Sequence, residues 1–253
     1  MKVAKPKIGY LAEAATGLRF FEGEQDGWLV VWEEPISGCS YLGALDTCRH
    51  EQAEGAKDPD AHSFWMLRAS FRNDKGEEVN TRAACRIRHP CRWDAAVLAE
   101  KIVLALKWYG DPMIVPEANQ GLDVIDKLRE AGCHIYRRKL FDRLNPGKTR
   151  KIIGWETTEK TRPLIVTALQ EAIREEALDL ECPIAVRQLR TFERNPRGKA
   201  CAAAGQHDDD VISLGIGLVC IGSARRMPES EPLHFGHYGD GGCTFSGVGG
   251  MFS

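Results

Sequence analysis

Carboxylate side chains stand at the ends of two short apolar segments and at the start of an apolar helical pattern. Asp46 closes one of these segments and Glu117 closes the other, while Asp208, Asp209 and Asp210 precede the helical pattern. Carboxylate oxygens are the ligands that Mg²⁺ and Mn²⁺ prefer in proteins. The residue types therefore indicate a site for hard divalent cations.

These carboxylates form one site only if their elements meet. If the two segments are neighbouring strands, Asp46 and Glu117 lie side by side at a sheet edge, where the start of a helix can also arrive. Such a cluster does not stay ionised without cations, so two metal ions about 3.5 to 4 Å apart are its natural occupants. The simpler alternatives are solvated strand ends and a helix cap. One Asp satisfies a cap, so three in succession need a further explanation.

Positive charge is concentrated in residues 137–151, although the chain as a whole has a net charge of -2. A protein with this net charge binds a polyanion only where its positive charge is segregated. We therefore predict contacts to a polyanion such as a nucleic-acid backbone here, with Arg194, Arg197 and Lys199 as a second wall; the alternative is a solvated loop. The basic residues of the segment are Arg137, Arg138, Lys139, Arg143, Lys148, Arg150 and Lys151.

The same segment contains Gly147, Lys148 and Thr149, which resemble the end of a phosphate-binding loop. That motif requires a second glycine five positions before Gly147, where this chain has Asp142. The sequence therefore shows no ATPase site.

The elements that must position these residues follow from apolar spacing. A turn at residues 73–76 and an N-cap at Asp94 mark two of their boundaries. An antiparallel meander followed by alternating strands and helices implies an α/β protein, with a mixed sheet and helices on its faces. Strands are predicted at residues 27–32, 41–46, 62–69, 79–88, 112–116 and 134–137, and helices from Asp94, at 122–131, 161–178 and 183–193, and from 208 onward.

Composition limits the class of protein. The 253 residues are 43% apolar and 28% charged, with no apolar run long enough to cross a membrane and no signal-peptide core. An intracellular protein with reduced thiols is expected from the nine dispersed cysteines. Cys85, His89 and Cys91 have metal-like spacing but lack a fourth ligand, which argues against zinc.

Four segments taken in order carry a family resemblance. GALDTC, IVPEANQGL, IIGWETTEKTRPLIVTAL and GQHDDDVISL, within residues 27–222, resemble the C-terminal nuclease domain of the large terminase subunit of tailed bacteriophages. The resemblance implies a ribonuclease H-like fold, with helices on both faces of the mixed sheet. It also implies a metal-dependent endonuclease that uses two Mg²⁺ or Mn²⁺ ions to cut concatemeric viral DNA during genome packaging.

The resemblance also assigns roles by motif position. Asp46 corresponds to the metal-bridging Asp, Glu117 to the second carboxylate, and Asp209 or Asp208 to the ligand borne by the helix. We expect Asp209 to be the ligand and Asp208 to be a cap or a support. Asp210 falls where the family varies, and Asp58 and Asp60 compete for one further position near the metals.

Domain organisation and partners complete these expectations. Residues 1–26 are predicted as a lead-in, 27–222 as the nuclease domain and 223–253 as a flexible Gly-rich tail. With no motor before it, the chain is expected to be an excised domain or a standalone subunit. The implied partners are double-stranded DNA, a packaging ATPase domain or subunit, the portal and the small terminase subunit, in the cytoplasm of the infected bacterial host. The alternatives are a junction resolvase or transposase-type recombinase, or a non-catalytic DNA-binding or portal-docking module.

Overall fold

The structure is a computed structural model that describes residues 5–15, 17–47, 62–88, 93–141, 149–196 and 198–227. The predicted positions Asp58, Asp60, His89, Cys91, Arg143, Lys148 and Arg197 lie outside these ranges, as do residues 228–253 of the predicted tail. None of the helices described in these ranges is both long and apolar enough to cross a membrane.

Strands and helices alternate along most of the described chain. The strands are β1 (Lys7–Ala14), β2 (Gly17–Glu22), β3 (Leu29–Val31), β4 (Ser40–Asp46), β5 (Ser63–Arg68), β6 (Phe71–Arg72), β7 (Glu78–Val79), β8 (Thr81–Ile87), β9 (Met113–Pro116), β10 (Arg137–Phe141), β11 (Thr149–Ile153), β12 (Leu178–Asp179), β13 (Phe192–Arg194), β14 (Ala200–Ala202) and β15 (Arg225–Arg226). The helices are α1 (Ala95–Trp108), α2 (Leu122–Glu130), α3 (Arg162–Arg174), α4 (Pro183–Arg190) and α5 (Asp209–Cys220).

A nine-stranded mixed sheet organises the described residues. Its main order is β15, β4, β5, β8, β3, β1 and β2, while β9 pairs with β4 and β12 pairs with β8. The predicted antiparallel meander is present, because β4, β5 and β8 are antiparallel neighbours. The crossover through α1 makes β9 parallel to β4. The mixed sheet predicted from sequence is therefore confirmed.

Helices cover both faces of this sheet, so its central strands are buried on both sides. Phe64 and Met66 of β5 belong to the core formed with α1 and α2, whereas Trp65 and Leu67 belong to the core formed with α3, α4 and α5. This alternation is the two-residue period of a strand. It explains why residues 62–69 have a continuous apolar pattern.

Helix α5 packs closely between the sheet and α3. A Cβ at Gly217 would lie 2.5 Å from Leu67 Cδ1, and one at Gly215 would lie 2.3 Å from Ile165 Cγ2. The two glycines let the helix approach both neighbours at once, which holds its N-terminus against the sheet.

Several boundaries differ from the predictions. The segment predicted as a lead-in contains β1 and β2, which extend the main sheet through β3. The predicted helix at residues 161–178 ends at Arg174, because Glu176 has a positive φ of 50° and the next residues form β12. The predicted strand at residues 134–137 is reduced to an isolated bridge at Ile135, and β10 begins at Arg137.

Candidate active site

Asp46 and Glu117 meet at one edge of the sheet. The parallel pairing of β4 with β9 runs from Leu42 opposite Met113 to Leu45 opposite Pro116. The Glu117 amide then donates to the Leu45 carbonyl at 2.7 Å. The side chains of Asp46 and Glu117 lie within interaction range of each other. The predicted adjacency of the two strand-end carboxylates is therefore observed.

Like charges and burial make Asp46 hard to ionise. Burial raises the pKa of Asp46 well above its ordinary value, and the charge of Glu117, the hydrogen bond with Glu117, and the charges of Asp209 and Asp208 raise it further. Neutralising the charge of Asp46, by a proton or by bound cations, would therefore relieve the repulsion in this site.

Asp208 occupies the N-cap position of α5, but its side chain makes no capping hydrogen bond. Instead, its carboxylate accepts from the Arg162 guanidinium at 2.6 Å, and Arg162 Nε donates to the Ala200 carbonyl at 2.7 Å. The expected cap is therefore not formed. In the first turn of α5, the Asp210 amide donates a hydrogen bond to Gln188 Oε1 at 2.8 Å.

Asp210 is fully buried, and its carboxylate belongs to a hydrogen-bond network in the core. Its two oxygens accept from Arg86 Nε and Nη2 at 2.9 Å each, and one of them also accepts from Ser63 Oγ at 2.7 Å and from Trp65 Nε1 at 3.1 Å. Ser213 is hydrogen-bonded to Ser63 within the same network. Asp210 therefore fixes the first turn of α5 to β5 and β8.

Sequence reasoning missed Arg86. A basic residue between apolar neighbours in a strand that is buried on both faces was the available signal. Such an arginine needs a buried counter-charge, because an unpaired charge in a protein core is strongly destabilising.

Asp209 lies on the first turn of α5, half-buried, with one of its oxygens 3.9 Å from His207 Nδ1. Its charge and that of Asp208 both act on Asp46, whereas Asp210 is held by Arg86. The structure thus separates the three consecutive carboxylates into two beside Asp46 and one in the core.

The donor chemistry fits a hard cation. Asp46, Glu117, Asp208 and Asp209 offer only oxygen atoms, which suit Mg²⁺ and Mn²⁺ better than they suit zinc. Within the described ranges, no three His, Cys, Asp or Glu side chains already stand in an arrangement that could hold an ion. The centre consists of a contacting carboxyl pair with two further carboxylates in electrostatic range.

Thr47 and Gly121 shape the wall next to this pair. Gly121 has a φ of 65°, and a Cβ there would lie 2.2 Å from Thr47 Oγ1. Thr47 Oγ1 is itself buried and has no hydrogen-bond partner in the described part of the chain. An unsatisfied buried hydroxyl next to Asp46 is a polar group that a bound water or ligand would satisfy. No sequence pattern indicates this hydroxyl.

The described residues of the predicted basic segment belong to a two-stranded antiparallel ribbon, β10–β11, beside Glu117. The backbone of Trp155 bridges to Glu117 directly after β11. Arg137, Lys139 and Lys151 are exposed, and Lys139 pairs with Lys151 across the ribbon. Arg138 behaves differently, because its guanidinium lies 4.9 Å from the centre of the Trp155 ring. The side chain of Arg150 is not among the described ones.

The second predicted basic wall is the hairpin β13–β14. Arg194 and Lys199 are exposed near its turn, and Arg194 donates to the Gly198 carbonyl at 2.9 Å. The hairpin is tied to the carboxyl cluster, since the Ala200 carbonyl and Asp208 share Arg162. Both basic segments therefore start beside the acidic centre.

No known family profile matches the sequence. No curated protein matches it either. The chain is similar to solved structures of the large terminase nuclease from thermophilic phage G20c, at a TM-score of 0.53 and 16% identity with bound magnesium, and 0.54 and 16% with bound cobalt. Both matches cover 76% of this chain and 87% of the other. A third structure of that nuclease gives 0.53 and 17%, covering 75% and 87%. The chain therefore has the ribonuclease H-like fold of large terminase nucleases, as the sequence predicted.

Proposed function

We propose that this chain is a metal-dependent DNA endonuclease that cuts concatemeric viral DNA during genome packaging. The observation that carries the proposal is the contact between Asp46 and Glu117, with Asp208 and Asp209 close enough to raise the pKa of Asp46. Solved nucleases of this fold contain magnesium or cobalt, which supports a divalent cation here.

Asp46, Glu117 and Asp209 would hold two Mg²⁺ or Mn²⁺ ions, with Asp208 next to them. Bound ions of this kind supply an activated water and stabilise the departing 3′ oxygen of the cleaved strand. Asp46 would lose any proton it carries when the ions bind. The proposed ligands come from two strands and one helix that pack against one another, which favours a fixed geometry.

Other residues of the chain would position the ligands and the DNA. Asp210 and Arg86 hold the first turn of α5, and Arg162 holds Asp208. The exposed cations Lys139 and Lys151 would bind backbone phosphates rather than base edges, because cutting concatemers at many sequences requires no base readout.

The proposed role in genome packaging implies specific partners. We propose double-stranded DNA as the substrate, and a packaging ATPase domain or subunit, the portal and the small terminase subunit as partners, in the cytoplasm of the infected bacterial host. These proposals rest on the family resemblance and the shared fold.

Nicking of supercoiled plasmid tests the activity. We expect the wild-type chain to nick DNA with Mn²⁺ or Mg²⁺ and not with EDTA, and Asp46→Asn to abolish nicking while remaining folded. Asp74→Asn is a matched control, because Asp74 is an exposed carboxylate in the turn between β6 and β7. Full activity of Asp46→Asn would contradict the metal assignment.

The same assay separates the alternatives. A non-catalytic docking module would leave the plasmid intact under all three conditions. A junction resolvase would prefer a four-way junction to linear duplex, so equal cutting of linear duplex favours the packaging nuclease.

A further inference from the structure

We propose that a cleft at the foot of the basic ribbon binds the sugar-phosphate backbone of DNA about four nucleotides from the bond that is cut. The inference rests on the proposed nuclease function and extends it to a second contact. The cleft has a volume of about 320 Å³ and extends from Met113, at the start of β9, to Arg137 and Ile153 at the base of the ribbon.

Positive charge from three separate elements converges on this cleft. Arg129 comes from the last turn of α2, Arg137 from β10 and Arg225 from β15, and His134 adds an imidazole. No carboxylate is among the described residues that line it. Guanidinium groups gathered in one place repel one another, so a bound anion would stabilise the arrangement.

The guanidinium groups are available to a ligand. Arg137 and Arg225 are exposed and make no ion pair or side-chain hydrogen bond with another residue of the described ranges. Arg129 pairs with Asp126 at 3.1 Å, but both side chains are more than half exposed, and exposed pairs of this kind contribute little. A phosphate therefore competes with weak interactions only.

The floor of the cleft favours a nucleotide backbone over a bare anion. Met113, Ile135 and Ile153 supply apolar side chains beneath the guanidinium groups. A deoxyribose ring presents carbon atoms to such a floor while its phosphate faces the arginines. Arg137 and Ile153 also belong to the ribbon β10–β11, so the positive surface continues from the ribbon into the cleft.

Met113 and Arg225 form the wall of the cleft that is farther from Glu117, and the length of β9 sets the distance from this wall to Glu117. Four residue steps separate Met113 from Glu117, and a strand rises about 3.3 Å per residue, which gives about 13 Å. Phosphates of one DNA strand advance about 3.4 Å each along the helix axis, so the distance corresponds to about four nucleotides. The two sites would therefore engage the same DNA molecule.

Salt dependence of DNA binding tests the cleft. In EDTA, where DNA is not cut, Arg225→Ala should flatten the slope of log affinity against log salt by about 0.9, the value of one lost phosphate contact. Arg225→Lys should restore most of it, and Arg174→Ala, an exposed arginine at the far end of α3, should match wild type. An unchanged slope in Arg225→Ala would overturn the inference.

Two further arms locate the ligand and separate its sources. The first arm uses a duplex in which one phosphate, about four nucleotides from the mapped cut, is replaced by a neutral methylphosphonate. Wild type should bind this duplex more weakly than it binds native DNA. Arg225→Ala should bind the two duplexes equally well. If inorganic phosphate stabilises wild type but not Arg225→Ala while DNA binding is equal, the cleft is a small-anion site and the DNA assignment fails. If wild type does not nick DNA but Arg225→Ala still flattens the salt slope of DNA binding, only the nuclease proposal is contradicted.

Discussion

Three consecutive aspartates at the start of α5 have three different environments. Asp208 pairs with Arg162, Asp209 acts on Asp46 through its charge, and Asp210 is buried against Arg86. Consecutive helical residues point about 100° apart, so one sequence run serves the exposed site and the core together.

Replacement of Asp210 should affect folding more than chemistry. Asp210→Asn leaves the buried Arg86 without its counter-charge, and breaking such a pair costs about 3 to 5 kcal/mol. Asp209→Asn removes a half-buried carboxylate beside like charges, so its free energy of unfolding should stay close to that of wild type. Urea unfolding of both variants measures the difference, and equal stability of Asp210→Asn and wild type would contradict the structural role.

The carboxyl cluster predicts an unusual pH dependence in metal-free protein. The pKa of Asp46 is raised in the folded state, so at pH values above an aspartate's ordinary 3.8 the unfolded chain releases a proton that the folded chain retains. This contribution makes stability fall as pH rises through that window. Asp46→Asn lacks this pH-dependent contribution. In EDTA, the free energy of unfolding of the variant relative to that of wild type should therefore rise from pH 4 to pH 8.

Unfolding of wild type and Asp46→Asn at both pH values measures this gain. Adding Mn²⁺ at pH 8 should stabilise wild type and not the variant, because the ions require the ionised cluster. A difference between the two proteins that does not change with pH would show that Asp46 is not shielded from ionisation.

At the scale of single residues, the sequence located Asp46 and Glu117, since a carboxylate after a short apolar strand is a local signal. It could not distinguish Asp210 from Asp209, because the discriminating partner, Arg86, lies more than 100 residues away along the chain. Their metal-binding roles remain predictions.

At the scale of elements, the described parts of the basic segment lie in the ribbon β10–β11, where its cations have different environments. Lys139 and Lys151 form one cross-strand pair on the exposed face, whereas Arg138 is stacked on Trp155. Composition alone predicted positive charge here but could not show which side chains face outward.

Removal of the lysine pair should weaken DNA binding electrostatically. In EDTA, Lys139→Ala with Lys151→Ala should flatten the slope of log affinity against log salt by up to about 1.8, or about 0.9 for each lost phosphate contact. The double variant of Lys5 and Lys75, two exposed lysines outside the ribbon, controls for net charge. Equal slopes for the two double variants would remove the ribbon from the DNA path.

At the scale of the molecule, the buried elements were predicted well and the peripheral ones poorly. The strands β4 and β5 are buried on both faces and each contains a run of apolar residues, whereas β8 is mostly buried but includes Arg82 and Arg86. By contrast, β2 has no fully buried side chain, although Leu18 and Phe20 pack against the core, and β15 consists of two exposed arginines. No local pattern announces such strands.

The position of β4 within the sheet has a consequence for amide hydrogen exchange. Its backbone is bonded to β5 on one side and to β9 and β15 on the other, and Tyr41, Leu42, Ala44 and Leu45 are completely buried. Amides in such a strand exchange only when the whole domain opens, whereas two-stranded ribbons at the surface exchange through local openings. Asp46 therefore terminates one of the slowest-exchanging segments, and the ribbons that would track DNA can open and close while the carboxyl pair keeps its geometry.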